Sequence, residues 1–183
     1  MDTRLLSVLL ILTVIATDAA AGTIYSIAGF HLGDSCENNT PYLVYISKYA
    51  DCISDSCSVT TLGSNAFTSD MTAIKCSSEY LTPMREMFSG SSYVIRSTFS
   101  DENCTTFQHS YGYPATDSCV GAYNEDQSYH YKGTLHENGL ASISIFDERA
   151  CLSSNLTATY NADKDALESH SCVPSGTANE LSR

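Results

Sequence analysis

The sequence predicts an all-β protein: a disulfide-stapled antiparallel β-sandwich, or a related β architecture, with at most one short helix. Short segments rich in Val, Ile, Thr, Tyr and Phe follow one another, separated by turn residues and without strand–helix alternation. The chain has eight cysteines, an even number, which indicates disulfides that staple such a domain. Asn138-Gly139, between two alternating segments, supplies the two positive-φ positions of a tight hairpin turn.

The first 21 residues predict a secretory signal peptide. Arg4 precedes an apolar run over residues 5–15, and small residues follow it. This run is shorter than the roughly 20 residues that a transmembrane helix needs. Ala19 and Ala21 fit the small-x-small cleavage rule. We therefore expect cleavage after Ala21 and a secreted, extracellular chain of residues 22–183.

The charge of the expected mature chain excludes some partners. Removal of residues 1–21 leaves 19 acidic and 8 basic residues, a formal charge of −11. Such a surface repels nucleic-acid phosphates and anionic lipid, so we expect neither as a partner. No segment after residue 21 is apolar enough to insert into a membrane. Solubility outside the cell is sufficient to explain the acidity, and a specific cationic ligand is the alternative.

Seven strands are expected, each rich in β-branched and aromatic residues. In chain order they cover residues 23–30, 42–47, 58–62, 71–76, 93–99, 130–136 and 140–146. The segment LTPMREMFSG is the expected helix, because Thr82 can cap it, Pro83 suits the first helical position and Gly90 can end it. The domain is expected to span 22–172, and the polar residues 173–183 to form a disordered tail.

Three cysteines have similar surroundings: Cys36, Cys104 and Cys151. A ring lies five residues before each of them, at His31, Phe99 and Phe146, with an acidic residue between ring and cysteine. Each is followed later by a second cysteine that precedes a β-branched residue, at Cys52, Cys119 and Cys172. These patterns predict three related strand-loop-strand units, at about 23–53, 92–120 and 139–173. The alternative is a chance resemblance among short cysteine-rich segments.

Eight cysteines allow on the order of 100 pairings, and the sequence alone does not decide among them. If each unit is closed by its own bridge, the simplest pairing is 36 with 52, 104 with 119 and 151 with 172. Cys57 then pairs with Cys76. Each loop would contribute about 3 kcal/mol in the chain-entropy model.

Three sequons lie beside the first cysteines of the units, at Asn38, Asn103 and Asn155. Pro41 follows the first sequon, and the middle of the second is Cys104, which must pair. Asn155 is therefore the strongest of the three predicted glycosylation sites. An unused sequon is the alternative at each.

The sequence contains no catalytic motif. There is no Gly-x-Ser-x-Gly elbow, and an even number of cysteines leaves no free thiol for catalysis. His130 and His136 lie on one predicted strand about 20 Å apart, too far to share a metal ion. Neither a metal nor a cofactor is therefore expected. Two acidic pairs, Glu125 with Asp126 and Asp147 with Glu148, could serve a hydrolase, although adjacent acids on turns are usually solvated.

Tyrosine is abundant, with 12 residues, and suits both strands and recognition surfaces. Tyr111 and Tyr113 lie between Cys104 and Cys119, in a segment that we interpret as a loop. They are the predicted contact surface, because loops often carry binding residues. Packing within strands is the alternative.

The signal peptide, the acidic mature chain and the aromatic, acidic and cysteine units together resemble the small cysteine-rich secreted proteins of oomycetes. The resemblance implies an apoplastic effector, an inhibitor of host enzymes, or a wall or surface component. No RxLR-type sequence follows the signal peptide, and elicitin spacing is absent.

Our first hypothesis is therefore a secreted extracellular protein that binds another protein or a glycan and is not an enzyme. The alternatives are a small secreted hydrolase with paired carboxylates and a structural wall or surface protein.

Overall fold

A computed structural model describes residues 22–37, 39–60, 70–124, 127–169, 172–174 and 181–182. The predicted signal peptide lies outside the described residues. The strands are β1 Tyr25–Leu32, β2 Leu43–Lys48, β3 Asp55–Val59, β4 Asp70–Ser77, β5 Tyr93–Phe99, β6 Phe107–Pro114, β7 Val120–Asn124, β8 Gln127–Leu135, β9 Ala141–Phe146, β10 Leu156–Ala162, β11 Val173–Pro174 and β12 Leu181–Ser182. The helices are α1 Leu81–Met87 and α2 Lys164–Ser169, and Ser153–Asn155 forms a 3-10 turn.

The predicted fold class is confirmed: the protein is built mainly of antiparallel sheet. One sheet has six strands in the order β3-β4-β1-β2-β6-β5, and the other has four in the order β10-β9-β8-β7. The short strands β11 and β12 pair with each other, within the segment expected to be a disordered tail. Strands β6, β7 and β10 and helix α2 were not predicted.

The six-stranded sheet is covered on both faces. On one face, Ile27, Val44 and Ile46 pack against Met84 and Phe88, the latter two from α1 and the residue after it. A side chain at Gly112 would reach this helix, because its Cβ would lie 2.8 Å from the Phe88 ring. The face that carries Ile27 therefore belongs to a first hydrophobic core beneath α1.

The opposite face of the six-stranded sheet packs against the four-stranded sheet. Phe30, Leu43 and Tyr113 of the larger sheet share a second core with Tyr131 and Ile143 of the smaller one. The two sheets therefore form a sandwich, with alternate residues of each strand pointing into it.

Helix α1 is present, but its predicted cap is wrong. The N-cap residue is Tyr80, and its side chain makes no capping hydrogen bond. Thr82 lies inside the helix, and its backbone N–H donates to the Glu79 carboxylate at 3.2 Å. Gly90 adopts a φ of 82° just beyond the helix, a conformation that glycine accepts readily and that directs the chain into β5.

The predicted disulfide pairing is wrong. The bridges join Cys36 to Cys57, Cys52 to Cys76, Cys104 to Cys172 and Cys119 to Cys151, and no cysteine is free. Each predicted unit does contain an antiparallel pair, β1 with β2, β5 with β6 and β9 with β10, yet no bridge stays within its unit. Four disulfides are consistent with a secreted extracellular protein.

Strand length explains this error. Cys36 lies in the turn between β1 and β2, whereas Cys52 follows the far end of β2. Six residues of strand separate the two ends by about 20 Å. The Cα atoms of the bridged cysteines are only about 6 Å apart, for example 5.8 Å for Cys36 and Cys57. The first cysteine of each predicted unit therefore pairs with a cysteine of another segment that lies at the same end of the sandwich.

Candidate functional site: a groove along strand β5

Strand β5 forms one edge of the six-stranded sheet. The Ala115 N–H donates to the Ser92 carbonyl at 2.8 Å, which places the Ser92 backbone on the side of β6. Backbone direction alternates along an antiparallel strand, so Tyr93, Ile95 and Ser97 turn their N–H and C=O groups away from β6. Ser97 is only 2% exposed, so the outward-pointing backbone groups that this edge leaves accessible are those of Tyr93 and Ile95.

A groove of about 490 Å³ runs along this edge. Its floor is formed by β5, with Tyr93, Ile95 and Ser97 among the lining residues. Tyr80 and Leu81 line one side, at the start of α1. The groove joins the edge of the sheet to the first turn of the helix that covers it.

The other side of the groove comes from the four-stranded sheet and from α2. Leu135 and Ala141 lie at the β8–β9 hairpin, and Leu167 lies on α2. Leu135 is 51% exposed and Leu81, across the groove, is 49% exposed. Large apolar side chains that flank a groove and remain half exposed indicate a surface for a partner, since single scattered ones would carry no such meaning.

Ring packing holds the aromatic side chains of the groove in place. Tyr93 stacks on Phe88 with ring centroids 4.8 Å apart and planes 15° apart. Tyr80 contacts Tyr25 and Phe107, each with centroids 5.1 Å apart. The groove is therefore largely formed before any ligand binds, which lowers the entropy cost of binding.

The rim of the groove is acidic. Within two positions of the described lining residues, the exposed charged side chains are the carboxylates Glu79, Glu137, Asp165 and Glu168. Among the described residues, the only lysine or arginine that close is Arg96, which is buried and belongs to the opposite face of β5. The Thr82 N–H holds the pKa of the Glu79 carboxyl below its usual value, so this group is charged at neutral pH. Glu168 forms a 3.6 Å ion pair with Lys164, an exposed contact that solvent screens strongly.

The prediction that Tyr113 forms a contact surface is wrong. Tyr113 lies on β6, not in a loop, and is only 2% exposed. It hydrogen-bonds to Arg96 and Tyr129 between the two sheets, and burial raises its pKa to about 12. Tyr111 is on the same strand, half-buried, with its ring 5.1 Å from that of Tyr45. A contact role for Tyr111 stays a prediction.

Arg96 has a structural environment. Its guanidinium lies 3.8 Å from the centroid of the Tyr160 ring, and the residue is 7% exposed. Ring stacking and the hydrogen bond to Tyr113 compensate the loss of water around this cation. The aromatic side chains between the two sheets therefore stabilise the buried positive charge of Arg96.

The described acidic pair, Asp147 with Glu148, does not line the groove. Asp147 and Glu148 lie on the exposed turn after β9. The Glu148 carboxylate accepts a hydrogen bond of 2.7 Å from Nδ2 of Asn155. Glu125 and Asp126 lie outside the described residues.

The predicted glycosylation sites occupy different environments. Asn103 is exposed, and Asn155 is half-buried with its amide bonded to Glu148. Asn38 lies outside the described residues. Glycosylation of each stays a prediction.

Two further properties concern the described parts of the chain. There, no three side chains of His, Cys, Asp or Glu are grouped so as to hold a metal ion. No helix in these parts combines the length and apolar character needed to cross a membrane.

The groove residues Tyr80, Tyr93, Leu135 and Leu167 were not among the predicted site residues. The residues of β5 predict a strand, but nothing in the sequence indicates that this strand lies at the edge of the sheet. The chain matches no protein-family model, no curated protein and no solved structure.

Proposed function

We propose that the protein is a secreted binding protein that acts outside the cell and holds a segment of another protein in the groove along β5. The observation that carries this proposal is a preformed apolar groove beside the β5 edge of the six-stranded sheet, flanked by the half-exposed Leu81 and Leu135. Apolar surface removed from water stabilises a complex by about 25 cal/mol per Å². A partner that covers these side chains gains affinity directly.

A protein segment suits this groove better than a glycan does. Among the described lining residues, Leu, Ile, Val and Tyr dominate, and Ser97 and Ser169 are the only serines. The Ser97 Oγ already accepts a 2.7 Å hydrogen bond from Ser110. A sugar ring would leave many hydroxyls without partners against such a surface, and each unpaired buried polar group costs about 1–3 kcal/mol.

The same lining gives no support to the hydrolase alternative. Glycoside hydrolysis needs two carboxyl groups facing one cleft. No Asp, Glu or His is among the described residues that line the groove. An apoplastic effector or an enzyme inhibitor, as the oomycete resemblance implies, would use such a groove to dock on its target.

The proposal is tested by capture from extracellular fluid with the oxidised protein as bait. The informative variant is Leu135→Glu, which places a charge in the groove. Its control is Leu152→Glu, because Leu152 is equally exposed, at 55%, and lies outside the groove. Both variants are first compared with the wild type by circular dichroism and thermal unfolding.

We expect a partner that the wild type and Leu152→Glu retain and that Leu135→Glu loses. With the recombinant partner, Leu135→Glu loses one buried leucine contact and buries a charge. The dissociation constant should therefore rise at least about tenfold. Retention of the same partners by all three baits, with equal affinities, would place binding elsewhere and overturn the proposal.

A further inference from the structure

We infer that the partner segment binds in an extended conformation, pairs with β5 as a seventh strand of the six-stranded sheet, and carries lysine or arginine beside its apolar residues. This inference rests on the proposed function, and it specifies the conformation and chemistry of the occupant.

The backbone of β5 provides the first argument. Tyr93, Ile95 and Ser97 each turn one N–H and one C=O outward, because the Ser92–Ala115 hydrogen bond sets the alternation of the β5–β6 ladder. Pro114, opposite Tyr93, fits this register, since that position requires no N–H toward β5. Tyr93 and Ile95 are half-buried whereas Ser97 is 2% exposed, so an added strand would pair with the outward groups of Tyr93 and Ile95, and hydrogen bonds of this kind supply affinity without depending on side-chain identity.

The chain's own C-terminal segment provides the second argument. The backbone of Leu181–Ser182 lies against β5, yet it pairs with Val173–Pro174 and does not join the six-stranded sheet. The surface beside β5 therefore accommodates extended backbone, while the ladder itself ends at β5. A partner segment that forms the ladder would compete with Leu181–Ser182 for this space.

The two sides of the groove define the side chains of the occupant. On a strand added to β5, alternate residues point toward Tyr80 and Leu81 on one side and toward Leu135 and Leu167 on the other. Both sides are apolar, so apolar residues suit both sets of positions at the centre of the segment. A segment of this pattern is distinguished from an amphipathic helix, whose contacts repeat every three to four residues.

The acidic rim defines the flanks of the occupant. Glu79 lies at the α1 side, and Asp165 and Glu168 lie at the α2 side, all exposed. Lys164 pairs with Glu168 at 3.6 Å, and the Arg85 charge acts on Glu79. These two cations offset part of the negative charge of the rim, but they are outnumbered by Glu79, Glu137, Asp165 and Glu168. Basic side chains at the ends of the apolar stretch would meet these carboxylates, which favours encounter at low salt.

The test uses the oxidised full-length protein and peptides selected from a random displayed library. The best peptide is synthesised and then methylated at one backbone nitrogen at a time. Strand pairing predicts that methylation at every second position weakens binding at least tenfold and that the positions between tolerate it within about twofold. Saturating peptide should also slow amide exchange at Tyr93 and Ile95.

The basic flanks are tested with the same peptide. The selected peptides should be enriched in lysine or arginine, and Glu79→Gln should weaken binding severalfold at low salt. Glu37→Gln, a change of an exposed acid outside the groove, should not. Peptides without basic residues, or equal affinities for the two variants, would refute this part.

The outcomes separate the inference from the proposal on which it rests. A peptide lost by Leu135→Glu and retained by Leu152→Glu, but without alternating sensitivity to methylation, leaves the groove as the site and refutes strand addition. A peptide that binds all variants equally, or a library that yields no binder, counts against both.

Discussion

Gly133 tests how closely the two sheets approach each other. It lies on β8, and a Cβ atom built on it would stand 2.6 Å from the backbone oxygen of Pro114 on β6. That oxygen belongs to a strand and cannot rotate away as a side chain could. Gly133→Ala therefore forces the four-stranded sheet away from the six-stranded sheet at this point.

The expected magnitude follows from this contact. Ordinary Cβ contacts begin near 3.4 Å, so the backbones must separate by about 0.8 Å. Overpacking of this kind costs about 1–3 kcal/mol. Replacement of glycine by alanine also stabilises the folded state by about 0.5–1 kcal/mol, because alanine restricts the unfolded chain. We expect Gly133→Ala to lower the free energy of unfolding by about 1–2 kcal/mol and Tm by about 3–6 °C.

The assay is urea unfolding at neutral pH with all disulfides intact, followed by tyrosine fluorescence. Gly121→Ala is the control, because its Cβ would meet only the His130 ring, at 3.3 Å, and that side chain can shift. We expect the control to remain within about 0.5 kcal/mol of the wild type. A Gly133→Ala protein as stable as Gly121→Ala would show that the sheets are not packed as closely as described.

Two further predictions concern titration and crosslinking. Burial lowers the pKa of His31 below its ordinary value of 6.5, so the unfolded chain binds the proton more readily and stability should fall as pH drops below about 6.5. In urea unfolding at pH 7.5 and 5, His31→Asn should lose less stability than the wild type; an equal loss would contradict this reasoning. Replacing both Cys104 and Cys172 by alanine opens a loop of 68 residues and should cost about 4 kcal/mol in the chain-entropy model. An unchanged urea midpoint would refute that value.

Most of the fold class could be predicted because its signals are local. The predicted strand 93–99 coincides with β5, and 140–146 differs from β9 by one residue. Strand β6 was missed because its sequence, FQHSYGYP, contains glycine and proline, which usually mark turns. Pairing with β2 on one side and β5 on the other holds this segment as a strand. Gly112 is needed there because a Cβ atom would clash with the Phe88 ring.

The predicted pairing of Cys36 with Cys52 could have been excluded from the sequence alone. The strand predicted over 42–47 already separates Cys36 from Cys52 by more than a disulfide can span. What could not be predicted is which segments meet at each end of the sandwich. Cys104 pairs with Cys172, 68 residues away, because the chain returns past β5 only after the four-stranded sheet is complete.

The candidate site was not predictable, because each of its properties depends on strand order. Nothing in the residues of β5 distinguishes an edge strand from a central one. Tyr111 and Tyr113 looked like surface residues because the sequence around them suggests a loop, yet Tyr113 is buried. Leu135 and Leu167 lie on separate elements that come together only at the open side of the sandwich.

The sequence by itself determined the class of fold, the approximate strands and the presence of disulfides. These depend on alternation, turn residues and cysteine number, which act over a few residues or over composition. Tertiary structure alone decided the disulfide partners, the burial of Tyr113 and Arg96 and the groove along β5. The physical reason is that these features are contacts between segments far apart in the chain, and the order in which strands pair is set by the packing of both cores together.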